Sequence, residues 1–514
     1  MDFYRSNDQS ERPPTIILVV LFASLTGFLY LRFLINPENI GDIVPYSFVI
    51  AAELFFILQA LISFWTILVG ESDPRDFRYF DVQKHMIHRN QDGGIFLKDV
   101  EVDVNVFITV YGEDLGTIRK TATAAKNMLG KHTTYILDDG KSDEVRDLAQ
   151  EIGVEYIRRA DNIGAKAGNV NNALQNTTSD FFVILDADHV PEPNFLFETM
   201  PFFYDDTVSY VQTPQYFENM NNFISIGSGY AQRIFYKLIS RGKNKFNAAF
   251  CVGTNVVFRT THVMEIGGIY QDSNSEDIWT SILLHEKGYK SIFISDVLAI
   301  GEAPDTTKAY VKQQQRWATG GFEILIRHNP VFRNLTLDQK LQYLASATFY
   351  LNGLANFLLF MLPSLYIYFG LIPIQSEFGL IDWALTYFPF YFLQIGVAFY
   401  FMKGFRWETM ILSFVSFPIY IKALWNVITG QDEKWNVTGR KDSDSPFNYI
   451  IPHIILFVYL IITAVVAGLD LWWYRNSGIL MAFIWQMVNT GIFGYFLYVV
   501  YQEYRLQGVT IKNS

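Results

Sequence analysis

The sequence predicts an α/β domain built on a parallel sheet, carried by an α-helical membrane protein of about six spans. Long apolar runs gather at both ends of the 514-residue chain. The middle has short apolar runs broken by Gly, Asp, Asn and Pro, and three of these run straight into acidic or polar residues. Composition agrees: 18% of residues are charged, against about 25% in soluble domains, and 17% are aromatic.

Residues 16–34 and 47–69 each reach the ~20 residues that cross a bilayer core. Their only charges are Arg32 and Glu53. A removable signal peptide would have a shorter apolar region and no second span behind it, so residues 1–70 form an N-terminal region with two membrane helices. After a domain at 71–340, spans are expected at 345–368, 385–401, 450–467 and 479–500, within a C-terminal region at 341–514. The apolar stretch 408–428 is interrupted by Lys422 and kinked by Pro418.

Lys and Arg favour the cytoplasmic side of short loops. Arg5 and Arg12 precede the first span, and Arg75, Arg78 and Lys84 follow the second. Between them, 36–46 has Glu38 and Asp42 but no Lys or Arg. The central domain is therefore expected in the cytoplasm, in a multi-pass protein of the plasma membrane. With 408–428 lying along the membrane surface as an interfacial helix, Lys434, Arg440 and Lys441 share that side, which gives six spans; a seventh is the alternative.

Several classes drop out. One cysteine excludes an intrachain disulfide or a cysteine-built metal site. A net charge of −11 argues against nucleic acid as a partner. So many aromatics exclude a disordered chain.

In the domain, residues 104–110 lead to Tyr111-Gly112-Glu113-Asp114, 134–137 to Asp138-Asp139-Gly140, and 181–185 to Asp186-Ala187-Asp188-His189. A helical pattern at 115–129 separates the first two and makes a βαβ unit. Ligands bind outside the carboxyl ends of such strands, so all three acidic clusters collect on one edge. Asp at a strand end often only caps the next helix; three such clusters on one edge repel each other unless a cation binds. Asp186 and Asp188, two residues apart, offer oxygen ligands to a hard divalent ion such as Mg²⁺ or Mn²⁺, which commonly also takes substrate phosphates. Lys166, among the small residues of Gly164-Ala-Lys-Ala-Gly-Asn169, suits a phosphate. There is neither a Gly-x-x-x-x-Gly-Lys-Ser/Thr loop nor a Gly-x-Gly-x-x-Gly fingerprint, so a sugar nucleotide fits better than ATP or a dinucleotide.

Downstream, Ser275-Glu276-Asp277 opens a helical pattern, and Gln313-Gln-Gln-Arg316-Trp317 follows. Taken alone, the first reads as a helix start and the second as a polar face with a membrane-surface tryptophan.

Together, Asp139, Asp186-x-Asp188, Glu276-Asp277 and Gln313-x-x-Arg316-Trp317 resemble the D, DxD, [T/S]ED and QxxRW pattern of processive, membrane-integrated family 2 glycosyltransferases, which include cellulose synthase and related β-glucan, chitin and hyaluronan synthases. The match runs from about residue 103 to 321. The resemblance implies a GT-A domain that adds sugars from a UDP donor with inversion and threads the polymer outward. Tyr111 and Glu113 would hold uracil, Asp138 or Asp139 the nucleoside, and Lys166, Gln313 and Arg316 the diphosphate side of the UDP-sugar. Asp186 and Asp188 would place Mg²⁺ or Mn²⁺. Glu276-Asp277 would be the catalytic pair, with Asp277 the general base, and Trp317 would stack beneath the acceptor sugar.

Two further stretches resemble the glucan-synthase branch. In Asn247-Ala-Ala-Phe250-Cys251-Val252-Gly253-Thr254, Phe250, Cys251 and Gly253 match an acceptor-binding loop, although Cys251 falls one place early and Val252 stands where the family has Cys. Trp435-Asn-Val437-Thr438-Gly-Arg440, within 431–442, resembles the gating loop F-x-V-T-x-K with Trp for Phe and Arg for Lys. The chain stops about a dozen residues past the last expected span, so regulation by cyclic di-GMP through a C-terminal β-barrel is not expected.

UDP-glucose and a β-glucan such as cellulose, curdlan or mixed-linkage glucan are the favoured donor and product. A hyaluronan- or chitin-type polymer is the runner-up, and a single-transfer polyprenyl-phosphate sugar transferase the next. A transporter without catalysis fits poorly, since the expected spans carry almost no internal charge. The expected partners are the UDP-sugar, the growing polysaccharide and the bilayer; accessory secretion subunits and oligomeric state stay open.

Overall fold

The computed structural model describes all residues except 1–14, 71–72, 87–92, 376–379, 403, 432–444, 475–478 and 514. The gating-loop positions Trp435, Val437, Thr438 and Arg440 lie outside the described residues.

At the centre is a seven-stranded sheet of β1 (Val104–Val110), β2 (Thr133–Asp138), β3 (Glu155–Ile157), β4 (Phe181–Asp186), β5 (Val208–Gln212), β6 (Val256–Arg259) and β7 (Lys290–Phe293). Their order is β7-β5-β6-β4-β1-β2-β3. Six strands run as a parallel sheet requires, while β6 pairs antiparallel with both β4 and β5. The sheet is thus mixed, where the sequence reading expected a parallel one. All seven β1 residues are buried, as in a strand covered on both faces. Side chains alternate faces along a strand: Val104, Val106, Ile108 and Val110 join Phe181, Val183 and Leu185 in one core layer, while Phe107 joins Phe182 and Ile184 in the other.

Helices α1 (Thr15–Leu34) and α2 (Ile43–Val69) precede the domain, and the helices within it follow local rules. In α3 (Leu115–Lys126), Asp114 accepts the Gly116 N–H at 2.9 Å as N-cap. In α4 (Asp143–Ile152), Ser142 caps the start and Gly153, at φ +75°, the end. Next come α5 (Ala165–Asn176), α6 (Phe223–Ile234), α7 (Glu276–Glu286) and α8 (Thr307–Ile326).

Among the described residues, six runs are long and apolar enough to cross a membrane: Ile17–Leu34, Ile43–Val69, Leu337–Phe369, Trp407–Thr429, Ile451–Trp473 and Ile479–Gln507. Five contain or overlap expected spans. The sixth, Trp407–Thr429, covers the stretch read as interfacial and consists of two helices, Trp407–Val415 and Phe417–Thr429, that break at Ser416. The expected span 385–401 lies within a helix Leu380–Met402, which is not one of the six.

The domain is fastened to these helices by polar contacts. Tyr310, Gln314 and Gln315 of α8 bond Ser416, Tyr420 and Lys422 at 2.8, 2.9 and 3.3 Å. Glu503, in the C-terminal third of the helix Ile479–Asn513, accepts the Thr307 N–H at 2.9 Å and its hydroxyl, capping α8. Lys243, 1% exposed, donates to the Gln342 carbonyl at 2.8 Å and Ser346 Oγ at 3.1 Å.

Candidate active site

The carboxyl ends of β1, β2 and β4 open into a cavity of about 1970 Å³, which extends between α8 and the membrane-side helices. Tyr111, Glu113, Asp139, Lys166, Asp186, Asp188, Phe250, Gly253, Glu276, Asp277, Gln313, Arg316 and Trp317 all line it. Residues more than 200 positions apart meet here because the sheet gathers its strand ends on one edge and α8 lies across that edge.

Asp186 ends β4, where its N–H donates to Thr254 Oγ1 at 2.9 Å. Its carboxylate accepts from Lys166. Burial alone would raise the Asp186 pKa, but Lys166, His189 and Arg316 outweigh it and hold the group ionised below the usual range. Asp186, Asp188 and His189 bring ligand atoms within 4.8 Å of one another. His189 is buried, bonds Asp188 through Nδ1 at 2.9 Å, and has Nε2 without a hydrogen-bond partner among the described residues. Two carboxylates with an imidazole beside them fit a divalent cation. The sequence reading named both carboxylates and passed over His189; its place directly after Asp-x-Asp was the available signal.

Asp277 lies in the first turn of α7, and its carboxylate accepts the Ile278 N–H at 2.7 Å. Burial and then repulsion from Glu276 push its pKa up to about 7, against the opposing pull of Arg316 and Lys166. Gly253 stands between these groups: a Cβ there would lie 3.5 Å from Asp277 Oδ2 and 3.7 Å from Lys166 Nζ, and its φ of +81° disfavours other residues. Glu113 accepts the Tyr111 N–H at 2.6 Å, and burial first, then Asp188 and Asp186, raise its pKa to about 7.

Two residues expected at the site, Asp138 and Cys251, do not line the cavity. The Asp138 carboxylate, fully buried, accepts the Lys141 N–H at 3.0 Å, the Ser142 N–H at 2.8 Å and the Tyr156 hydroxyl at 2.8 Å. It shapes its own turn and does not line the cavity, so Asp139 is the member of the pair that does. Asp139 is held by Arg159 through two bonds of 2.6 Å, a partner that no sequence signal announced. Cys251 also turns away from the cavity: it is buried behind α7, with Sγ donating to the Asp277 carbonyl at 3.0 Å. Burial raises its thiol pKa, which makes it inert.

The mixed sheet with acidic strand ends defines a GT-A-like glycosyltransferase fold. It is similar to a solved mannosyltransferase from Pyrobaculum calidifontis in complex with GDP-Man and Mn²⁺, with a TM-score of 0.51 and 16% identity over 76% of this chain and 100% of that one. Residues 181–403 match the family described as Glycosyl transferase family group 2. It is 35% identical over 260 residues to the cellulose synthase catalytic subunit (UDP-forming) of Xanthomonas axonopodis pv. citri (strain 306), covering 49% of this chain and 36% of that protein. It is 30% identical over 381 residues to the cellulose synthase 1 catalytic subunit (UDP-forming) of Komagataeibacter xylinus, covering 70% of this chain and 50% of that protein. The chain thus spans half or less of the length of these two relatives.

Proposed function

We propose that the protein is a processive, inverting hexosyltransferase that polymerises sugar from a UDP donor and moves the polymer across the membrane. The observation that carries this reading is one cavity that holds Asp186, Asp188, Lys166, Asp277, Arg316 and Trp317 and continues to Tyr350, Tyr420 and His453 on membrane-side helices. UDP-glucose and a β-glucan are the favoured donor and product, in keeping with the UDP-forming cellulose synthases to which the chain is similar.

In this reading Asp277 takes the proton from the acceptor hydroxyl. That oxygen attacks the anomeric carbon from the face opposite UDP, the bond to the diphosphate breaks, and the configuration inverts. General bases contribute typically 10²–10⁴-fold. Arg316 and Lys166 stabilise charge growing on the leaving diphosphate. Asp186, Asp188 and His189 would hold Mg²⁺ or Mn²⁺; the chemistry such an ion supplies when bound is neutralisation of that same charge. Tyr111, Glu113 and Asp139 form the wall for the nucleoside, and Trp317 the platform for the acceptor ring. In this reading the half-buried helix pair Trp407–Thr429 lies along the membrane surface, which the polar contacts of Ser416, Tyr420 and Lys422 to α8 support, and the domain faces the cytoplasm.

The test uses purified protein in nanodiscs with Mg²⁺ or Mn²⁺, given radiolabelled UDP-glucose, UDP-N-acetylglucosamine and UDP-glucuronate singly and in pairs. High-mass label from UDP-glucose alone supports the reading, and linkage-specific glucanases then name the bond. High-mass label that needs an amino-sugar donor moves the product to the chitin or hyaluronan type. Label confined to a lipid extract refutes processive synthesis.

A further inference from the structure

Residues four and seven apart on an α-helix share a face, the latter two turns and roughly 10 Å along. Arg316, Gly320 and Glu323 therefore form one stripe of α8. Arg316 lines the cavity. One turn on, Gly320 touches the segment that leads to Asp277: a Cβ on Gly320 would stand 1.8 Å from Ser275 Oγ. No side chain fits there unless the segment moves.

A turn further, Glu323 is 6% exposed and accepts three hydrogen bonds from the same segment. The Asn274 N–H, the Asn274 side-chain amide and the Ser273 hydroxyl each donate to it at 3.0 Å. Ser273 Oγ in turn accepts the Ser275 N–H at 3.1 Å. Ser275 makes no side-chain cap bond to α7, so beyond the backbone bond from the Trp279 N–H to its carbonyl the side-chain tether of residues 273–274 is Glu323. Bonds to an ionised carboxylate are about twice as strong as neutral ones, and the Arg327 guanidinium lies 3.8 Å from the Glu323 carboxylate. The helix that presents Arg316 and Trp317 thereby also grips the three residues before Glu276-Asp277.

We infer that Glu323 is a positioning residue that sets Asp277 against Arg316 and Trp317 by pinning residues 273–275 to α8. This rests on the reading of Asp277 as general base. The pinning gives the base and the groups facing the diphosphate a single reference frame, α8. A displacement of about 1 Å in such a constellation costs on the order of 10²-fold in rate.

The test compares Glu323→Ala, Glu323→Gln and Gly320→Ala in the full-length protein in nanodiscs, with the most active UDP-sugar as donor. In Glu323→Ala, kcat per folded molecule should fall tenfold to a hundredfold, with donor KM and UDP affinity within threefold of wild type. The rising limb of its pH profile should also shift. Glu323→Gln, which keeps an accepting oxygen, should recover most of the rate. Gly320→Ala should reproduce the loss while leaving every charge in place, and it decides the matter if Glu323→Ala does not fold. A kcat within twofold of wild type in Glu323→Ala, or in Gly320→Ala where it alone folds, overturns the inference; a lower melting temperature alone would mark a purely structural contact. Turnover by Asp277→Asn would instead overturn the reading of Asp277, and with it this one. An inactive Asp277→Asn beside an unimpaired Glu323→Ala overturns only the present inference.

Discussion

A base that must deprotonate a sugar hydroxyl works best with a pKa near the operating pH, and burial beside Glu276 raises Asp277 to about 7. Only the ionised form accepts the proton, so kcat should climb as pH rises through about 7, as a pH–rate profile will show. The same shift acts against stability. Folding favours the protonated carboxyl, so its contribution is present below the unfolded pKa of about 3.9 and is lost as pH rises through about 7. Asp277→Asn should abolish polymer formation while UDP affinity, measured by calorimetry, changes by no more than a few-fold. Asp138 offers the opposite case. Asp138→Ala strands three donors, at about 1–3 kcal/mol for each group left unsatisfied, and should lower the melting temperature while leaving donor KM nearly unchanged in the fraction that folds. Neighbouring Asp138 and Asp139 were not separable in sequence, because both follow the same strand and only burial divides them.

At the scale of elements, β1, β2 and β4 and the helix at 115–126 were legible because short apolar runs, helical periodicity and strand-end acids are local signals. The reversed β6 was not, since a four-residue strand carries no mark of its direction. The face of the loop at 247–254 was equally hidden: Phe250 lines the cavity, while Cys251 is buried with Sγ against the Asp277 carbonyl. Helix α8 joins the two halves of the site, with Trp317 at the cavity and its own N-terminus capped by Glu503. If Trp317 supports the acceptor, Trp317→Ala should reduce polymer elongation by tenfold or more while donor hydrolysis falls less, a stacked ring being worth about 1–3 kcal/mol. Equal losses in the two assays would count against stacking.

For the whole molecule, the charge pattern of the loops predicts sidedness. Cys251 is 2% exposed and silent to a bulky reagent, so a single cysteine introduced at an exposed site reports topology. Glu38→Cys should react with a membrane-impermeant maleimide on intact cells, and Glu144→Cys only after permeabilisation; the reverse pattern would invert the orientation. By itself, the sequence determined that apolar ends flank a sheet with acids on one edge, because hydropathy, periodicity and loop charge are properties of neighbours along the chain. It also set the order of the acidic and QxxRW segments. Tertiary structure alone decided that His189 joins the carboxylates, that Arg159 holds Asp139, that Asp138 serves its own turn, and that Glu323 grips the segment before Asp277. Those are contacts across 20 to 50 positions or side-chain directions within a turn. They depend on which strands pair and on how α8 lies across the sheet edge, which no local pattern encodes.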